Sequence, residues 1–195
     1  MPIQEIMKLK TALDEETRIS LLLAIHCAPI LSGIKAANIM TVTGREFFRI
    51  GYLLQGTDIS YRFLKTKGDK GILYLYRERE LVRYLHSEEI RDFLKEYGYT
   101  SDKLDDMLER LSNRICFYSN GDAAFPHEIG IFLEYPLMDV KGFLENDGKN
   151  FIYSGYWKVY HDVQSTIQKF RQYDEERERA VMAVVSGRKI KDITV

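Results

Sequence analysis

Cysteine is nearly absent from this sequence: Cys27 and Cys116 are the only two in 195 residues. Two thiols make no disulfide framework, and no C-x-x-C pair offers half of a zinc site. An excess of one charge is missing too. There are 28 basic and 29 acidic residues, a net charge of −1, whereas a dedicated nucleic-acid binder carries a basic excess. No apolar run approaches the roughly 18 residues a membrane span needs. The opening MPIQEIMKLK lacks the apolar stretch of a secretory leader. The expectation is a cytoplasmic protein with reduced thiols, no membrane association and no nucleic-acid partner.

What the chain does contain is apolar and aromatic. Hydrophobic residues make up 45% and charged residues 29%, the balance of an ordinary globular protein able to bury a sizeable core. No low-complexity linker, repeat or shift in composition divides it, so residues 1–195 read as one domain with loose ends at 1–10 and 186–195. Thirteen tyrosines and ten phenylalanines fit either half-buried core edges or a ring-lined pocket for a small molecule.

Periodicity gives an α+β fold, several helices packed on a small, mainly antiparallel sheet. Thr11 or Asp14 caps a first helix whose face carries Ile19, Leu22, Leu23 and His26. Pro29 is expected to break it, leaving Ala28 extended and Cys27 at a helix-to-loop junction. Ile39, Met40 and Val42 suggest a strand, and residues 44–54 a helix. Ile59, Tyr61 and Phe63 alternate with polar residues, then Lys67 to Gly71 form a turn, then Ile72 to Tyr76 return: a hairpin over about 59–76. Helices follow over 78–85, from Ser87, and from Ser101 with Leu104, Met107, Leu108, Leu111 and Ile115 on one face. Two short strands are expected around Ser154-Gly155, and Asp162 caps a last helix.

Phe125 to Asn146, reading FPHEIGIFLEYPLMDVKGFLEN, is the densest stretch. Pro126 suits a helix's first turn, and Tyr135-Pro136 ends that helix. Pro136 opens a second, with Val140, Phe143 and Leu144 buried and Asp139 in its first turns, where a carboxylate complements the helix dipole. Gly142 interrupts the pattern at a cost of ~1 kcal/mol against alanine, which a close backbone contact or a ligand would explain.

This stretch, together with HCAPILSGIKAANI (residues 26–39) and SGYWKVY (154–160), resembles a bacterial family of unknown function, DUF3793. The likeness runs over nearly the whole chain. It implies a single-domain intracellular protein and brings no activity, cofactor or site residue with it. Glu134 stands where the family pattern has glycine.

The chemistry therefore has to come from the residues. Cys27 is the candidate nucleophile, His127 its base, and Glu128 or Asp139 the acid that orients the imidazole, in a cysteine-dependent hydrolase or acyl-transfer site. His26 adjoins Cys27 in sequence, but helical neighbours point apart. The helix placement matters: a thiol at a helix C-terminus loses thiolate character, and one before a new helix gains it. The competing reading makes Cys27 a small buried hydrophobe. His127, Cys27 and a carboxylate form a chemically sensible zinc or iron set, although position 131 is Ile and no HExxH exists. Lys35, Lys141 and Arg62 are candidate anion contacts, but no phosphate loop accompanies them. No cofactor signature is present. The alternatives to the thiol enzyme are a non-catalytic small-molecule or metal-binding protein and a structural interaction module.

Overall fold

The computed structural model of the protein describes residues 13–64 and 70–195. The expected lead-in at 1–10, the Thr11 cap and residues 67–69 of the expected turn lie outside them. The architecture is α+β, as the periodicity indicates. Nine helices among the described residues surround a three-stranded antiparallel sheet, and a two-stranded ribbon stands apart from it.

Helix α1 (Glu15–Leu31) opens at Asp14, whose carboxylate accepts the Thr17 amide. Strand β1 (Ala37–Thr43) leads directly into α2 (Gly44–Leu53), where Thr43 and Glu46 form a reciprocal capping box. Strands β2 (Ser60–Leu64) and β3 (Lys70–Tyr76) make the expected hairpin. β3 also pairs antiparallel with β1, from Ala37 opposite Tyr76 to Thr43 opposite Lys70, so β3 is the central strand.

The pleat of β3 divides the protein into two cores. Successive side chains on a strand point to opposite faces. Leu73 and Leu75 join the core made with α1, α2 and the long α8 (Val163–Val185). Tyr74 and Tyr76 point the other way. There they meet α3 (Glu78–Leu85), α4 (Glu88–Glu96), α5 (Leu104–Asn120), α6 (Ile129–Phe132) and α7 (Leu137–Glu145). A strand covered on both faces has no polar side, which is why β3 reads as a continuous apolar run.

Two expectations need correction. Pro29 does not end the first helix; α1 carries it inside and runs to Leu31. Proline removes only one amide donor, and here it sits within the last turn. Asn38 Nδ2 donates to the His26 carbonyl at 2.6 Å, in the turn the ring disturbs. Residues 186–195 are docked and not frayed. They carry the short helix α9 (Ile190–Ile193), Ile190 is buried, and the Val195 amide donates to Leu31 O.

The ribbon pairs β4 (Tyr153–Ser154) with β5 (Lys158–Val159), the two strands expected around Ser154-Gly155. Trp157, Val159, Phe170 and Tyr173 form a third, smaller core beneath it. Among the described residues no helix is long and apolar enough to cross a membrane.

Candidate functional site

The stretch from Phe125 to Asn146 is held in place by its charged residues. Glu128 is fully buried and forms a two-pronged ion pair with Arg114 of α5: Nε meets Oε1, and a terminal N–H donates to Oε2 at 3.2 Å. Tyr99 donates its hydroxyl to Oε1 at 3.0 Å. A carboxylate stripped of water requires such partners. They fix the turn that carries His127.

Helix α6 is shorter than the pattern suggests, because the chain turns at Glu134 with φ +58°. That left-handed conformation suits glycine. Here the Glu134 carboxylate accepts the Ala36 amide at 2.7 Å, an anchor that glycine would lack.

Asp139 does more than complement a helix dipole. It is buried. Oδ2 accepts the Trp157 indole N–H at 2.8 Å, and Oδ1 accepts the amides of Tyr160 at 2.8 Å and His161 at 3.0 Å. One carboxylate thus clamps α7 to the β4–β5 ribbon. Gly142 lies one turn further along under Tyr160. A Cβ built there would sit 2.6 Å from the Tyr160 ring, so the close approach expected at this glycine is a packing contact.

Between these elements opens a cavity of about 270 Å³, lined by Phe125, His127, Tyr135, Val140, Phe143, Trp157 and Lys158, among others. Most of its wall is apolar. The His127 imidazole lies between Phe125, with centroids 5.1 Å apart, and Phe143 at 4.9 Å. Its nitrogens make no hydrogen bond with the described residues. Tyr135 stacks on Trp157 at 4.8 Å with 27° between planes. Lys158 donates to Gly148 O at 2.6 Å, its ammonium 5.5 Å from the Phe143 centroid and 5.0 Å from that of Phe151. Gly148 has φ +68°, and a Cβ there would press on both Phe143 and Lys158.

His127 and Asp139 therefore line one cavity. Glu128 and Asp139 bond to groups other than the imidazole. Cys27 lies in the sheet–α1–α8 core with no exposed surface, and burial pushes its thiol up to about 12, only partly countered by the charge of Lys35. A nucleophilic cysteine works as an exposed thiolate, whereas this one packs as an apolar side chain. Among the described residues no group of three or more His, Cys, Asp or Glu side chains is placed to hold a metal ion.

The three bases separate as well. Arg62 pairs with Asp105 at 2.6 Å, and Lys141 lies over Phe93. Lys35 is buried between the rings of Tyr135 and Tyr173, its nitrogen 5.2 and 5.9 Å from their centroids. Desolvation lowers it from 10.5 to about 8, against the pull of Glu134.

Sequence reasoning placed Phe143 on a buried helix face and not in a cavity wall, and it did not single out Phe125, Lys158 or the Arg114–Glu128 pair. The only sequence signal for the cavity was the nearness of aromatic residues to the His-Glu pair, together with the separate segment SGYWKVY, whose Trp157 and Lys158 complete the wall.

A family model described as a protein of unknown function, DUF3793, matches residues 23–194. No curated protein and no solved structure matches the chain.

Proposed function

The chain belongs to DUF3793, a family of unknown function, and from its own geometry we propose that it is a non-catalytic binding protein for a small, ring-bearing molecule. One observation carries this reading. The His127 imidazole is held between two phenyl rings in the wall of an apolar cavity, and its nitrogens make no hydrogen bond with the described residues.

A wall of rings with few polar groups is the composition of a small-molecule pocket. The cavity, about 270 Å³, falls just under the ~300–1,000 Å³ of drug-sized sites, so its ligand is a one- or two-ring compound. The supports are rigid, since each polar residue beneath the wall is fixed: Glu128 by Arg114 and Tyr99, Asp139 by Trp157 and two amides. A wall fixed before binding loses little entropy when the ligand enters. The sealed Cys27 favours binding over thiol chemistry.

The test is a calorimetric titration with 2-naphthamide, an uncharged two-ring probe. One-to-one binding is expected in the wild type, and loss of it in Val140→Phe, which fills the cavity; circular dichroism checks that the variant folds. Trp157, the only tryptophan, lines the cavity, so its emission should shift on binding. No binding to the wild type, or equal binding to a folded Val140→Phe, overturns the proposal.

A further inference from the structure

We infer that the ligand of this cavity is a flat aromatic carboxylate, its ring against the aromatic wall and its anionic end at Lys158 and His127. The inference rests on the binding reading above and adds the ligand's charge.

It follows from counting the polar groups that remain free. Asp139 is the cavity's one carboxylate, and three N–H groups already converge on it. A carboxylate so engaged has little capacity left for a ligand donor. The Trp157 N–H is taken by Asp139, and the Tyr135 hydroxyl donates to Tyr156 O at 3.4 Å. Among the described residues what remains is the His127 imidazole and the Lys158 ammonium, which has given one of its three N–H groups to Gly148 O. The free polar capacity of the cavity is therefore mainly donor and cationic.

The placement of Lys158 makes this specific. Its ammonium is anchored at Gly148 and held over the faces of Phe143 and Phe151. An ammonium that is already ordered and partly desolvated attracts a carboxylate more strongly than a mobile surface lysine does. A cationic ligand would meet a like charge there. A phosphate dianion would want several converging donors, and the cavity supplies two. The body of the ligand is set by Phe125, Phe143, Tyr135 and Trp157, whose rings favour offset or edge-on aromatic partners.

The experiment compares three probes of one shape by calorimetry at low salt: 2-naphthoate, 2-naphthamide and 2-naphthylmethylammonium. The carboxylate should bind about tenfold tighter than the amide, as a charge-assisted contact implies, and the ammonium more weakly than either. Lys158→Gln keeps a donor for Gly148 but loses the charge; within that variant the carboxylate should bind no tighter than the amide. Lys158→Arg should restore the advantage. Equal affinity for the three probes, or an advantage that survives in Lys158→Gln, overturns the inference and leaves the pocket standing. Failure of all three to bind overturns the pocket itself.

Discussion

Trp157 donates its indole N–H to Asp139 at 2.8 Å, and this bond ties helix α7 to the β4–β5 ribbon. The same carboxylate accepts the amides of Tyr160 and His161, so three donors, two of them buried, depend on one side chain. Asp139→Asn would turn an NH2 group toward at least one of them. A buried donor left unpaired costs ~1–3 kcal/mol, and the variant should lose roughly 2–4 kcal/mol in all. Urea unfolding measures it, as a lower midpoint with an unchanged slope. Because the reporter is the residue released, native emission should also move to the red. An unchanged midpoint would mean that the ribbon is held by packing alone.

Gly142 gives a second test of the same junction. A methyl group there would lie 2.6 Å from the Tyr160 ring, well inside contact distance. The ring stands on the chain segment that Asp139 holds, so it has little room to retreat. Gly142→Ala should therefore destabilise by ~1–3 kcal/mol, the usual cost of overpacking, although alanine is the better helix former. Thermal unfolding decides: a rise in Tm would show that propensity outweighs the clash.

The thiols should differ sharply. Cys116 is partly exposed and Cys27 is fully buried, with its thiol pushed up to about 12. In native protein at pH 8, iodoacetamide should label Cys116 and spare Cys27, and both should react in denaturant. Mass spectrometry of the peptides reads this directly. Rapid native labelling of Cys27 would restore it as a candidate nucleophile.

Local features of the fold were legible and long-range ones were not. The alternation of Ile59, Tyr61 and Phe63 gave the β2–β3 hairpin, since strand period is a local property. The spacing of Met107, Leu108, Leu111 and Ile115 gave the buried face of α5 for the same reason. Pro29 misled because a proline's effect depends on its place in the helix, and that place is set by what packs around it. For Asp139 the sequence suggested a dipole role and a place as the acid that orients the His127 imidazole. Its actual partners lie some twenty residues away, beyond the reach of any spacing argument. The cavity was hidden in the same way: its two walls come from 125–143 and 157–158, and only the ribbon brings them together.

The last prediction concerns Lys35, buried between Tyr135 and Tyr173. Burial lowers its pKa from 10.5 to about 8; Glu134 and Cys27 act to raise it and Lys169 to lower it. The unfolded chain holds this proton up to about 10.5, while the folded chain releases it near 8. Between those limits the unfolded state binds more protons, so stability rises with pH. Lys35→Met has no such term. The wild type should therefore gain on the variant by ~2 kcal/mol between pH 7.5 and 10, at 1.36 kcal/mol per pKa unit. Tyr135 and Tyr173, the rings in contact, are themselves raised by burial, Tyr135 to about 12, and stay neutral across this window. Glu134→Gln removes the charge that favours the ammonium, so the rise should begin at lower pH. Urea midpoints of the three proteins across the window measure both effects, and parallel curves for wild type and Lys35→Met would show that Lys35 titrates as an exposed lysine.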